Sequence, residues 1–280
     1  MDNVIAIVTG GNRGIGRETV TGLAEKKYTV IMACRDVTGS SRVCSEIKEM
    51  TGNENIFVMK LDVSSKKSIT EFVAAFAARF GKVNILVNNA GISSSRRQET
   101  VDGIELNIGT NYFGTFLLTY YLLPYFEKNA DDRIINLTSY IYKNGSFKIN
   151  RINRYHWVKA YAVSKYMILL FTLELAEYTK GTTIKVNAVH PGIVRTSIMY
   201  NKKWYDFIIK LLLLPFFVEP HEGAETSIYL ATSDEVRNVS GKYFVKCREQ
   251  KIPAKYNDIS MRKKLWAYSA AYASEKSGKL

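Results

Sequence analysis

The chain has 280 residues, 46% of them apolar, enough to bury the core of one large α/β unit. Its formal charge of +13 is spread along the chain, with no basic arm and no nucleic-acid-binding motif. Nucleic acid is therefore not expected as a partner, and the charge points to an anionic cofactor, an anionic membrane surface or plain solvated surface. Three cysteines (Cys34, Cys44, Cys247) form no CxxC pair, and His156, His190 and His221 lack ligand spacing, which argues against a disulfide framework or metal site and for a reducing, intracellular compartment.

The apolar run Val4–Val8 starts almost at the N-terminus, so no signal peptide or membrane anchor is expected, and it ends at a glycine-rich turn. An amphipathic stretch from Ile15 to about Lys27 follows, then a run at Tyr28–Cys34, a helix to about Met50 and a run at Ile56–Leu61. A helix from about Lys66 to Phe80 leads to the run Asn84–Val87. Beyond it come a helix around Asn111–Phe126, a run at Arg133–Leu137, a helix around Tyr161–Tyr178 and a last run at Ile184–Ala188. This alternation predicts right-handed βαβ units and an α/β fold: a single Rossmann-type doubly wound parallel sheet, flanked by helices on both faces, in one domain over residues 1–280. Ligands are expected at the C-terminal strand ends. The longest greasy stretch, Trp204–Val218, is too short to span a bilayer and is interrupted by Asp206, Lys210 and Pro215.

The first such strand end carries Thr9-Gly10-Gly11-Asn12-Arg13-Gly14-Ile15-Gly16. Glycines there permit a tight turn and let the backbone approach a pyrophosphate seated on the following helix N-terminus. Gly10, Gly14 and Gly16 are spaced TGxxxGIG rather than GxGxxG. With Leu61-Asp62-Val63 and Asn88-Asn89-Ala90-Gly91, this pattern resembles the short-chain dehydrogenase/reductase family. The resemblance implies that Asp62 bonds near the adenine amino group and that Asn88 and Ala90 line the adenine-ribose side; as plain structure, Asp62 would cap the helix that follows.

Cofactor choice turns on Ala33-Cys34-Arg35-Asp36 at the end of the second strand. A ribose 2′-hydroxyl calls for a carboxylate and a 2′-phosphate for a cation. By resemblance, the family's NAD-selecting acid ends the strand itself, where this chain has Cys34. Arg35 follows directly and Arg13 lies in the glycine-rich loop, which favours NADP(H).

Tyr161-Ala162-Val163-Ser164-Lys165 places a phenol and an amine four residues apart, on one helix face. Lowering a tyrosine from about 10 to near neutral takes roughly 4 kcal/mol of phenolate stabilisation, which a nearby cation and an oxidised nicotinamide can supply. Tyr161 could then take a proton from an alcohol, or give one to a carbonyl. Ser139, ending Ile134–Thr138, matches the family's catalytic serine, and strand alternation turns its neighbour Thr138 the other way. Asn111, in Thr110-Asn111-Tyr112-Phe113-Gly114, matches the helix asparagine that holds a water linking Lys165 to solvent; its plain alternative is a buried group bonding backbone. Pro191-Gly192-Ile193-Val194-Arg195-Thr196 matches the loop over the nicotinamide, with Ile193 and Thr196 near the carboxamide, and His190 packs beside it.

Ser139 and Tyr161 are 22 residues apart, wider than is common in the family. The extra segment, about 142–159, resembles that of the retinol dehydrogenases, as do Ala33–Asp36, Phe116–Thr119 and Ser240–Phe244. That likeness covers about residues 4–268 and implies interconversion of retinal, or another apolar aldehyde or ketone, with its alcohol. Departures from that branch are that no N-terminal hydrophobic anchor is expected ahead of Val4, that Asn111-Tyr112-Phe113-Gly114-Thr115 stands for Asn-His-Leu-Gly-His, and that Ala-Val-Ser stands for Cys-His-Ser before Lys165. Other lipid aldehydes, steroid ketones, and a non-catalytic NADP(H)-binding scaffold are the alternatives. Residues about 196–222 would form a substrate lid and about 245–280 a C-terminal extension. The lid's apolar residues, with Lys202, Lys203 and Lys210, suit a greasy substrate, a peripheral contact with endoplasmic reticulum or lipid-droplet membranes from the cytoplasm, or packing against the core or a second subunit of a homodimer.

Overall fold

The computed structural model describes residues 4–94, 96–126, 131–149, 152, 156–194 and 217–275. The strands are β1 (Ile5–Thr9), β2 (Thr29–Cys34), β3 (Ile56–Lys60), β4 (Ile85–Asn88), β5 (Arg133–Leu137), β6 (Lys185–His190), β7 (Ile193–Val194), β8 (Phe217–Val218), β9 (Lys242–Val245) and β10 (Arg248–Gln250). The helices are α1 (Gly14–Glu25), α2 (Val37–Thr51), α3 (Lys66–Arg79), α4 (Leu106–Ile108), α5 (Gly114–Leu122), α6 (Trp157–Tyr178), α7 (Pro220–Thr232) and α8 (Ile259–Ser274). The main sheet has eight strands in the order β10-β9-β6-β5-β4-β1-β2-β3. All its neighbours pair in parallel except β9 and β10. The doubly wound parallel sheet expected from the sequence is present.

Strand alternation explains why helices cover both faces. Ile5 and Ile7 of β1 join one core with α3, α5, α6 and α8, while Ala6 and Val8 join a second with α1, α2 and α7. Such strands are buried on both sides and read as continuous apolar runs. The six expected runs coincide with β1 to β6 to within one or two residues.

Two expectations are corrected. The helix around Asn111–Phe126 begins earlier, as α4 at Leu106, passes through a π-helical turn at Gly109–Phe113, continues as α5 and ends in a tight turn at Leu123–Tyr125, where Pro124 cannot extend it. The helix carrying Tyr161 starts one turn sooner, at Trp157. Of the expected lid, 196–222, only residues 217–222 lie within the described residues: Phe217–Val218 pairs in parallel with Ile193–Val194, and α7 begins at Pro220.

The chain runs β1, β2, β3 toward one edge and then returns to lay β4 on the other side of β1. Adjacent β1 and β4 therefore send their following loops in opposite directions from a shared C-terminal edge, the crevice where open α/β sheets bind ligands.

Candidate active site

The loop after β1 turns sharply because Gly10 and Gly14 take left-handed φ values of 65° and 52°. A methyl group on Gly16 would collide with the Gly10 carbonyl and the Asn89 amide, so only glycine lets α1 start this close to the loop. Arg13 caps α1 without a side-chain hydrogen bond, and the first turn carries no acid. Its N–H donors are thus left for an anion, and this geometry fits a dinucleotide pyrophosphate.

Two residues that sequence reasoning did not single out fasten this loop to the one after β4. Thr9 Oγ1 accepts from the backbone of Asn89 (2.9 Å) and Ala90 (2.8 Å), and Asn89 Nδ2 donates to the Thr9 carbonyl (2.7 Å). A threonine closing one strand and a polar side chain closing the next was the available signal. The Asn88 side chain faces the interior instead, donating to Thr119 Oγ1 (2.9 Å) and Asn136 Oδ1 (2.8 Å). Only its backbone is left for the adenosine side.

Asp62 accepts from the backbone N–H and the hydroxyl of Ser64 (2.9 and 2.6 Å). The cap of α3 is Ser65, so Asp62 shapes the loop but does not cap the helix. Val63 is held beneath α5, where its carbonyl nearly touches Gly114. At the end of β2, the Cys34 thiol is buried against the Gly11 and Asn12 backbone and pushed up by that burial. Asp36 is spent on capping α2, accepting from Gly39 N at 3.0 Å. Arg13 and Arg35 are both exposed at this corner.

The segment before α6 delivers Ser139, and α6 itself delivers Tyr161 and Lys165. Ser139 sits where β5 ends and opens a short helical turn, accepting from Ile141 N at 3.5 Å. Thr138 faces the other way and donates to the Lys165 carbonyl (2.7 Å), pinning α6 to the sheet. The Ser139 hydroxyl faces the Tyr161 phenol. Lys165 Nζ stands 5.8 Å from the centre of the Tyr161 ring and donates to the Leu137 carbonyl at 3.0 Å. Asn111, on the π-helical turn, bonds Ile92 N (2.8 Å), Ile92 O (2.9 Å) and Ser164 Oγ (3.0 Å). Its side chain thus ties the loop after β4 to α6. A methyl on Gly91 would lie 3.3 Å from Asn111 Oδ1 and 3.5 Å from Lys165 Nζ, which places the NNAG loop against both.

The electrostatics differ from the sequence expectation in one respect. Burial pushes the Tyr161 phenol up, and the Ser139 hydroxyl offsets only part of that rise. The Lys165 ammonium does not lower the phenol here, because it points at the Leu137 carbonyl and is itself pushed down to about 8 by burial. His190 is held down to about 4 by burial and by the Lys165 charge, and its Nδ1 is buried without a partner. The imidazole is therefore neutral beside the amine at ordinary pH. Pro191 and Gly192 continue from β6, and Gly192 takes φ 86°, which brings its backbone against Val218. Thr196 lies outside the described residues, and the Ile193 backbone pairs with Phe217. Among the described residues no group of His, Cys, Asp and Glu could hold a metal ion, and no helix is long and apolar enough to cross a membrane.

The family described as short chain dehydrogenase matches residues 4–205. Mouse retinol dehydrogenase 12 is 37% identical over 268 residues, covering 95% of this chain and 84% of the relative. Human retinol dehydrogenase 14 is 35% identical over 288 residues, covering 96% and 86%. Among solved structures, an uncharacterized protein from Mycobacterium Paratuberculosis superposes with a TM-score of 0.76 at 28% identity, covering 99% of this chain and 95% of that one. A short chain dehydrogenase from Pseudomonas syringae, at 22% identity and a TM-score of 0.68 over 86% and 93% of the two chains, shares the fold. The chain belongs to the short-chain dehydrogenase family and is an oxidoreductase acting on CH–OH donors with a nicotinamide dinucleotide.

Proposed function

We propose that this protein is an NADP(H)-dependent oxidoreductase that interconverts an apolar alcohol and its aldehyde or ketone, with retinol and retinal the leading pair. The observation that carries this reading is the convergence of the Tyr161 phenol, the Ser139 hydroxyl and the Lys165 amine beside the loop that follows β4. When bound, the nicotinamide supplies or accepts the hydride and, in its oxidised form, adds a positive charge next to the phenol.

Tyr161 is the proton carrier in this scheme: its oxygen takes the alcohol proton during oxidation and returns it to the carbonyl oxygen during reduction. The Ser139 hydroxyl hydrogen-bonds the reacting oxygen and holds it in line with the phenol. Lys165 shares a helix face with Tyr161, and an amine pushed down to about 8 can give up and regain a proton close to working pH. Asn111, bonded within the fold, positions α6 and the NNAG loop relative to one another.

The dinucleotide would lie along Gly10, Asn12, Gly14, Ile15 and Gly16, with Asp62, Val63, the Asn88 backbone, Ala90 and Gly91 toward its adenosine and central portions. Pro191 and Gly192 would hold its nicotinamide end. Preference for the 2′-phosphate rests on Arg13 and Arg35 at an exposed corner where Cys34 offers no carboxylate and Asp36 is held as a helix cap. The retinoid reading rests on the named relatives, and the apolar residues of Trp204–Val218 suit such a substrate.

The test is NADPH consumption by the purified protein with retinal, medium-chain aldehydes and steroid ketones. Tyr161→Phe should lower kcat by about a hundredfold or more while leaving NADPH binding within about twofold, because only the transferable proton is removed. Equal rates for this variant would remove Tyr161 from the mechanism. A preference for NADH would remove Arg13 and Arg35 from cofactor selection.

A further inference from the structure

The last hairpin of the sheet builds a cleft that this chemistry does not use. β9 and β10 are joined through Lys246 and Cys247, both left-handed at φ 49° and 57°, the geometry of a tight two-residue hairpin turn. Antiparallel pairing sets Gln250 opposite Tyr243 and Arg248 opposite Val245. Opposed residues share a face, so these four side chains line one side of the hairpin. Lys242 and Glu249 belong to the other alternation and pair with each other at 2.8 Å. The hairpin's one carboxylate is thereby consumed on the far face.

The near face meets the helical turn that follows Ser139, and the two enclose a cleft of about 620 Å³. Lys143, Lys246, Arg248 and Lys251 supply its charge, and the phenols of Tyr140, Tyr142 and Tyr243 its aromatic walls. Among the described residues no carboxylate lines it. Among the described residues, none of the four cations has a carboxylate partner. Tyr243 is 3% exposed, and its hydroxyl is buried with no hydrogen-bond partner. Lysine and arginine only donate hydrogen bonds, so the four cations fill the cleft with donors in want of an acceptor. Such a lining complements a group with several anionic oxygens.

The cleft also adjoins the reaction centre. Tyr140 directly follows Ser139, and its ring lies 6.1 Å from that of His190, while Val245 pairs with His190 across β6 and β9. We propose that this cleft is an anion-binding subsite, which holds the carboxylate or phosphate of an amphiphilic substrate whose alcohol or carbonyl end reacts at Ser139 and Tyr161. The inference rests on the reaction proposed above and adds to it an anionic group remote from the reacting carbon.

The test joins equilibrium binding to turnover. Decyl phosphate, decanol and inorganic phosphate are titrated into the wild type, into the exposed-residue double variant Arg248→Gln/Lys251→Gln, and into Tyr243→Phe, which removes only a hydroxyl. Decyl phosphate should bind the wild type more tightly than decanol or inorganic phosphate, and the double variant should lose about tenfold of that affinity, while Tyr243→Phe, which removes a buried hydroxyl and no charge, should bind as the wild type does. In turnover, the ω-carboxylate analogue of decanal should be preferred over decanal by the wild type, and the double variant should lose that preference at unchanged kcat/KM for decanal. Equal decyl phosphate affinity in wild type and double variant would overturn the subsite. Binding of inorganic phosphate as tight as that of decyl phosphate, with no preference between the aldehydes, would overturn its assignment to substrate. If neither aldehyde is turned over, the proposed reaction fails while the titrations still decide the subsite.

Discussion

Lys165 is 6% exposed, yet it carries an amine whose ordinary state is charged. Burial holds that amine down to about 8 in the folded chain against an unfolded value of 10.5. Below pH 8 both states are protonated and the folded state bears the full cost of the buried charge. Between 8 and 10.5 the unfolded state binds more protons, so stability rises with pH there. The wild type should therefore gain on the order of 2 kcal/mol relative to Lys165→Met between pH 7 and pH 10, measured by urea unfolding. A constant difference across that range would mean the ammonium is not desolvated. The four-residue spacing of Tyr161 and Lys165 was readable from the sequence because helix geometry alone sets it. The direction of the phenol's shift was not, since it depends on burial and on the Leu137 carbonyl that draws the amine aside. Asn88 shows the same limit: its place in the NNAG segment was plain, but which way the side chain turned depended on Thr119 and Asn136, 31 and 48 residues away.

At the scale of elements, β1 to β6 were legible because buried parallel strands are unbroken apolar runs between turn-forming residues. The segment around Asn111 was less so. Its π-helical turn inserts Gly109–Phe113 between α4 and α5, and the sequence marks it only with Gly109, a residue that an ordinary helix also tolerates. Gly114, just past the turn, has a clear reason to be glycine: a methyl group would meet the Val63 carbonyl and side chain, pushing α5 off the loop that carries Asp62. Gly114→Ala is expected to cost about 2 kcal/mol, in the range of overpacked cores. It should also weaken dinucleotide binding more than Tyr161→Phe does, because it shifts the Asp62–Val63 loop. Unfolding midpoints and NADPH titrations of the two variants check both statements; an unchanged midpoint for Gly114→Ala would show that α5 can move away freely. The hairpin of β9 and β10 was missed for a different reason. Tyr243 and Phe244 are its buried apolar pair, and the charged residues around them hide a strand that lies at the sheet's edge.

For the whole molecule, the question is whether the C-terminal segment is an appendage or part of the core. α8 lays Leu265 and Tyr272, each 1% exposed, against α5 and α6, and stacks Trp266 on Phe171 with ring centres 6.1 Å apart. Ser269 Oγ meets the buried Tyr112 hydroxyl at 2.7 Å, and Arg262 reaches Glu174 of α6 at 3.1 Å with both side chains largely buried. These polar residues on the inner face explain why the helix carried no clean apolar stripe in the sequence: Arg262 and Ser269 occupy positions where an amphipathic pattern would show apolar side chains. We expect α8 to unfold together with the sheet. Leu265→Ala leaves a gap between α8 and α6 and should cost about 3 kcal/mol. If the chain is one cooperative unit, that loss moves a single transition, with helix content by circular dichroism and tryptophan fluorescence shifting together. Trp266 makes the fluorescence a direct reporter of this helix, although Trp157 and Trp204 also contribute. An early fluorescence transition that leaves the bulk of the circular dichroism unmoved would show that α8 detaches first, and that residues 4–250 fold without it.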